Sequence, residues 1–103
     1  MSERYDVILS GPITGVPDYV QRFAVAHVSA VRDFVSANGR HPNIWNPASL
    51  PRDRDNVWRL RQSVEAVFAS PDAVIVMLAG WRDDKEACAE HALAVCLGLR
   101  ADT

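Results

Sequence analysis

The sequence has no excess of positive charge and no long apolar run, and each absence excludes a class of protein. Its 11 Lys and Arg residues stand against 13 Asp and Glu residues, a net charge of −2 at pH 7, whereas nucleic-acid-binding domains carry a basic patch or stripe. No apolar run approaches the roughly 20 residues of a membrane-spanning helix. The first residues lack the cationic and apolar segments of a secretory signal. We therefore expect a cytoplasmic protein that binds neither a nucleic acid polymer nor a membrane.

Several motifs that carry chemistry in other proteins are also missing. The glycine-containing turn after the first strand lacks the Lys-Ser/Thr ending of a P-loop and the dinucleotide fingerprint, and we expect no cofactor. No serine lies at a nucleophile elbow, and the histidines show no metal-ligand spacing, so we expect no metal. Cys88 and Cys96 lie about 12 Å apart along one predicted helix, too far for a disulfide. Both are expected to be buried free thiols.

Three β-rich segments alternate with three segments of helical periodicity along the chain. The 103 residues, 49% of them hydrophobic, suit one domain over residues 1–103. The patterns predict strands over residues 5–10, 41–45 and 72–79, and helices over residues 23–35, 57–68 and 85–97. This βαβαβα order predicts a three-layer α/β domain with a short parallel sheet. The last five residues are too few to predict a fourth strand.

The loops that follow the three strands should meet at one edge of the sheet, where open α/β sheets bind ligands. They are Gly11–Gly15, Asn46-Pro47 and Gly80–Asp84. Glycines in the first loop let the backbone approach a ligand closely. Trp81, directly after the third strand, could either stack on a flat ligand or cover the core.

Glu90 is the acidic residue that helix capping does not explain. Asp83, Asp84 and Glu86 suit the cap and first turn of the last helix, where acidic side chains are favoured. Glu90 lies deeper in that helix, among alanine and leucine. Repulsion from Glu86 and partial burial would raise the pKa of one carboxyl group of the pair. A carboxylate at this edge can act as nucleophile or general base.

Four arginines cluster around the start of the second predicted helix, interleaved with aspartates. One interpretation is a solvated, salt-bridged face, and the other is a contact to a phosphate or to another subunit. The sequence leaves both open for Arg52, Arg54, Arg59 and Arg61.

Four short motifs, in this order and spacing, resemble the nucleoside 2-deoxyribosyltransferase superfamily, and most closely a small phage and bacterial branch of it. They are LSGPITG at Leu9–Gly15, Asn46-Pro47-Ala48, Asp72-Ala73, and a Gly-Trp loop followed by Ala-x-x-Glu-His-Ala over residues 87–92. The resemblance covers nearly all of the chain. It implies a flavodoxin-like domain that works as a homodimer or larger assembly, in which a neighbouring subunit completes the site.

The resemblance implies cleavage of the N-glycosidic bond of a nucleoside, by base exchange or hydrolysis. Glu90 would be the nucleophile, and Asp84 would be the second catalytic residue. Because Asp84 would repel a phosphate, it indicates a substrate that ends in a nucleoside or a free sugar. The resemblance implies that Gly11, Pro12 and Gly15 surround the sugar of the nucleoside. It also implies that Asn46 and Trp81 contact the ligand.

Three positions differ from the pattern of that superfamily and favour an alternative function. Ile8 stands where members of that superfamily commonly have tyrosine, and Glu86 stands in place of a glycine. Around Ser63 they often have an aspartate that assists the base, whereas this chain offers only a hydroxyl group. With fewer assisting groups, the chain would be a non-catalytic binding protein for a nucleoside- or nucleotide-derived small molecule.

Overall fold

The computed structural model describes residues 3–103, which form four parallel strands and three helices. The elements are β1 (Val7–Ser10), α1 (Tyr19–Asn38), β2 (Ile44–Trp45), α2 (Asn56–Ala69), β3 (Val74–Met77), α3 (Lys85–Cys96) and β4 (Arg100–Asp102). The strand order is β2-β1-β3-β4. Two short 3₁₀ turns, Pro47–Ser49 and Trp81–Asp83, precede α2 and α3.

This architecture confirms the three-layer α/β fold and corrects the expected number of strands. The order is βαβαβαβ, since Arg100–Asp102 adds a fourth strand parallel to β3. The strand ladder is made by backbone groups, which need no apolar side chains, and two of the three β4 side chains are exposed. Leu99, which is buried just before β4, anchors the strand. A strand this short and polar has no signal in the sequence.

The two faces of β1 bury different side chains because successive residues of a strand point in opposite directions. Val7 and Leu9 pack with Phe23 of α1 on one face. Ile8 packs on the other face, in a core that includes residues of α2 and α3. By the same alternation, Ser10 belongs to the face of Ile8. The last side chain of β1 is therefore a hydroxyl on the side covered by α2 and α3.

The buried face of α3 combines two alanines with one carboxylate. Ala87, Glu90 and Ala94 are the buried residues of this helix, and their spacing of three and four places them on one side. Cys88 is half-buried and Cys96 is exposed, so the expected burial of both thiols is wrong for Cys96. Cys96 lies six residues after Glu90, which turns it away from the buried face.

None of the helices in residues 3–103 combines the length and the apolar character needed to cross a membrane.

Candidate functional site

The carboxylate of Glu90 is buried at the carboxyl end of β1. Its exposed fraction is 6%, and that of Ser10 is 0%. Ser10 Oγ donates a hydrogen bond of 2.7 Å to Oε1 of Glu90. The two residues are 80 positions apart in the chain, and the topology joins them because Ser10 ends β1 on the face that α3 covers. The hydrogen bond fixes one oxygen of Glu90 at the sheet edge where the loops converge.

Burial raises the pKa of Glu90 from its ordinary value of 4.5 to about 7, because desolvation disfavours the charged form. The Ser10 hydroxyl opposes this effect and lowers the pKa, whereas the charges of Asp84 and Glu86 raise it further. Near neutral pH the site therefore contains both the ionised and the protonated carboxyl group. The ionised form can act as a nucleophile, and a group with this pKa can also exchange a proton at neutral pH.

Glu90, Asp84 and Glu86 form one wall of a cleft between α3 and α2. The cleft has a free volume of about 360 Å³ including its open mouth, and about 30 Å³ of it admits the centre of a water molecule. The enclosed part therefore holds about one water, and a larger ligand would extend into the mouth. Asp84 Oδ2 also accepts a 2.8 Å hydrogen bond from the Ala87 N–H, so it caps α3 as expected. Three carboxylates on one wall favour a cationic group over a phosphate.

The opposite wall is the polar face of α2. Thr14 Oγ1 donates to Oδ1 of Asn56 over 3.0 Å, and Nη2 of Arg59 donates to the same oxygen. These bonds tie the loop after β1 to the start of α2. Residues 56, 59, 60 and 63 all line the cleft, with the spacing of one helix face. Leu60 and Ser63 complete this wall.

Within residues 3–103, the arginine cluster does not form the salt bridges that one of the two interpretations predicts. Among residues 3–103 the ion pairs join Asp18 to Arg22 and Asp6 to Arg40, and neither includes an arginine of the cluster. Arg59 alone of the four lines the cleft. Its guanidinium is thus a positive charge facing a wall of carboxylates.

Gly11 is required where β1 leaves the sheet. A Cβ atom at this position would lie 2.7 Å from Cβ of Leu78, which is closer than real Cβ atoms come. The absence of a side chain therefore lets the end of β1 lie against the residue after β3. This close approach brings Gly11 into the lining of the cleft.

The structure brings Glu90, Asp84 and Gly11 together in the cleft, and the other predicted site residues lie outside its lining. Pro12 borders a different groove, with residues of α1 and Leu78. Gly15 is exposed and has a positive φ of +77° with open space around it, which is typical of a turn.

Asn46 and Trp81 make contacts within the protein. Asn46 Oδ1 accepts from the Ala48 N–H over 3.0 Å and caps the turn at Pro47–Ser49. The ring of Trp81 lies 4.4 Å from that of His91, and Trp81 packs against the core on the side of α2 and α3. These contacts favour the interpretation of Trp81 as a cover of the core. A ligand contact by either residue stays a prediction.

Sequence reasoning did not place Ser10, Thr14 or Asn56 in the site, and it named Arg59 only as one of the clustered arginines. A signal existed for all of these except Thr14. Asn56 and Arg59 recur with Ser63 at intervals of three and four, the spacing of a polar helix face. Ser10 is the one polar residue in the buried strand Val7–Ser10. Such a residue usually has a buried hydrogen-bond partner.

Residues 5–101 match a protein-family model described as Domain of unknown function (DUF4406). No curated protein and no solved structure matches the chain. The matched range includes every residue that lines the cleft.

Proposed function

The chain belongs to the DUF4406 family, and we propose that its cleft cleaves the N-glycosidic bond of a nucleoside with Glu90 as the nucleophile. The observation that carries this proposal is the burial of the Glu90 carboxylate at the carboxyl end of the sheet, with one oxygen held by Ser10. Fixing one oxygen orients the other toward the cleft, as a nucleophile requires. The resemblance of the chain to nucleoside 2-deoxyribosyltransferases supports the same role.

The electrostatics of the cleft suit the proposed transition state. Cleavage of a glycosidic bond develops positive charge on the sugar. In the free protein, the ionised Glu90 is buried and is repelled by Asp84 and Glu86. A sugar cation would relieve both the desolvation and the repulsion. The interaction is therefore stronger in the transition state than in the ground state, which is the condition for catalysis.

The expected reaction has two steps. The ionised oxygen of Glu90 attacks the anomeric carbon, the bond from that carbon to the base nitrogen breaks, and the base leaves with the bonding electrons. A second base or a water molecule then attacks the same carbon and releases Glu90. Attack by a second base gives base exchange, and attack by water gives hydrolysis.

Base release from nucleosides tests the proposal. The protein is incubated with each of the common deoxynucleosides, with and without a second free base, and the products are separated by chromatography. We expect release or exchange of the base, with kcat reduced by about 10³-fold or more in Glu90→Gln. Glu65→Gln, an exposed position on α2, serves as the matched control and retains the activity. Equal rates in Glu90→Gln and in the protein itself would refute the proposed role of Glu90.

A non-catalytic binding protein is the second candidate, and the side chain of Glu86 favours it. Glu86 lines the cleft at the position where the nucleoside 2-deoxyribosyltransferases that the chain resembles have a glycine. Its side chain narrows the access of a sugar to α3. A thermal shift measurement separates the two candidates. Stabilisation by a nucleoside without base release would indicate binding alone.

As part of the same proposal, the chain forms a homodimer and lies in the cytoplasm, as its sequence suggests. Exposed valines of α1, Val25 and Val28, support self-association because large apolar side chains at a surface favour an interface. Sedimentation equilibrium of the purified chain measures the oligomeric state directly.

A further inference from the structure

The cleft is polarised: its α3 wall carries three carboxylates and its α2 wall carries hydrogen-bond donors. Glu90, Asp84 and Glu86 lie on the first wall, and Arg59 and Ser63 lie on the second. The proposed function uses only the first wall, which faces the sugar cation. Breaking a glycosidic bond also leaves negative charge on the departing base, and positively charged groups or hydrogen-bond donors stabilise this charge.

Arg59 has unused donors, and within residues 3–103 it has no ionic partner. A guanidinium has five N–H groups. One of them donates to the Arg54 carbonyl over 2.8 Å and one donates to Oδ1 of Asn56, which leaves three. Arg59 is absent from the ion pairs found in residues 3–103. The two hydrogen bonds hold the guanidinium at the cleft while its charge remains available to a ligand.

Ser63 offers a second donor one helical turn further along α2. Its side chain is 2% exposed and lines the cleft. Ser63 Oγ accepts a hydrogen bond of 3.2 Å from Nε1 of Trp45, so its own hydroxyl hydrogen is not used in that contact. Within the described part of the chain, the hydrogen bonds of Ser63 Oγ include no acceptor for this hydrogen. The contact with Trp45 satisfies the buried oxygen, and the hydroxyl hydrogen is left to donate to a ligand in the cleft.

We propose that Arg59 and Ser63 form the leaving-group subsite of the cleft and bind a pyrimidine base through the carbonyl oxygen beside its glycosidic nitrogen. This inference rests on the proposed function. Arg59 cannot give up a proton, so the subsite stabilises a base that departs as an anion. Departure of a purine is helped by protonation of its ring, which a guanidinium cannot supply.

The electrons balance in this step. Glu90 forms a bond from its carboxylate oxygen to the anomeric carbon, and the electrons of the broken carbon–nitrogen bond remain on the base. Arg59 and Ser63 donate hydrogen bonds to the carbonyl oxygen over which this charge spreads. Water protonates the base after it leaves the cleft.

Two substrates with different leaving groups test the subsite. We measure kcat/KM for deoxyuridine and 5-fluorodeoxyuridine with the protein, Arg59→Ala, Arg59→Lys and Arg61→Ala. Fluorine stabilises the base anion and so replaces part of what Arg59 supplies. In Arg59→Ala, kcat/KM for deoxyuridine should fall about 10²-fold. The ratio of the fluorinated to the unfluorinated substrate should rise about fivefold or more in the same variant.

The ratio of two substrates does not depend on how much of a variant is folded, so misfolding cannot imitate the result. Arg59→Lys keeps the charge but loses the planar set of donors, and its ratio should lie between those of the protein and Arg59→Ala. Arg61→Ala changes an exposed arginine of the same helix and should leave the ratio unchanged.

The contrary outcomes distinguish a failure of this inference alone from a failure of the proposed function. Release of uracil with the same ratio in Arg59→Ala as in the protein would overturn the inference and leave the proposed function standing. Release of purine bases alone would do the same. Absence of base release from every nucleoside would overturn both.

Discussion

Replacing Glu90 by glutamine tests whether the burial of this carboxylate makes the fold less stable as the pH rises. The change keeps the size of the side chain and its ability to accept the hydrogen bond from Ser10, and it removes the charge. A pKa that rises from 4.5 to about 7 on folding corresponds to about 3 kcal/mol of unfolding free energy. At a pH where Glu90 is ionised, Glu90→Gln should therefore escape a destabilisation of this size that the protein itself carries.

The direction of the effect follows from the number of protons bound in each state. Below pH 4.5 Glu90 is protonated in both the folded and the unfolded chain, so it contributes no pH dependence. Between pH 4.5 and about 7 the folded chain binds more protons, and its stability falls as the pH rises. Above that range the full destabilisation is present. The protein thus loses stability relative to Glu90→Gln across this window.

The assay is thermal and chemical unfolding of both proteins at about pH 4 and about pH 8. The difference in unfolding free energy between variant and protein should grow by about 3 kcal/mol across that range, which corresponds to a relative shift in Tm of roughly 12 °C or more for a domain of this size. Glu65→Gln, at an exposed position, should show little change. Parallel pH profiles for the protein and Glu90→Gln would refute the claim that burial raises the pKa of Glu90.

Three further substitutions test how the site is held. Ser10→Ala removes the hydrogen bond that lowers the pKa of Glu90, so the acidic limb of the pH profile of kcat/KM should move to higher pH. An unchanged acidic limb would exclude Ser10 as a positioning residue. Gly11→Ala places a Cβ atom 2.7 Å from Cβ of Leu78 and should destabilise the fold by about 1–3 kcal/mol in urea unfolding. Gly15→Ala places its Cβ atom in open space and only strains a positive φ, so it should lower the unfolding free energy by about 1 kcal/mol. A larger loss of stability in Gly15→Ala than in Gly11→Ala would contradict the close approach of β1 and Leu78.

The order of the elements from β1 to α3 and the position of Glu90 could be predicted because both depend on local patterns. The apolar run Val74–Met77 and the cap at Asp84 mark the junction between β3 and α3 within a dozen residues. Periodicity then places Glu90 on the same face as Ala87 and Ala94. That face is buried, and the pKa of Glu90 is raised, whereas the sequence predicts a raised pKa only for one of the pair Glu86 and Glu90.

The partners of Glu90 could not be predicted because they depend on topology. Ser10 reaches Glu90 only because β1 and β3 are neighbours in the sheet, which brings residues 80 positions apart into contact. Similarly, α2 connects β2 to β3 past β1, and this crossover turns Arg59 and Ser63 toward α3. Periodicity identifies a polar face on α2 but does not say what that face meets.

The central claim is that Glu90 forms a covalent bond to the sugar, and trapping that intermediate tests it most directly. A deoxynucleoside analogue with fluorine on the sugar, next to the anomeric carbon, disfavours the sugar cation and slows release of the glycosyl-enzyme. Mass spectrometry of the digested protein should then find the fluorinated sugar on the peptide that contains Glu90. It should find no adduct in Glu90→Gln and an unchanged adduct in Glu65→Gln. Attachment of the sugar to another residue, or base release from the analogue without any adduct, would contradict the account.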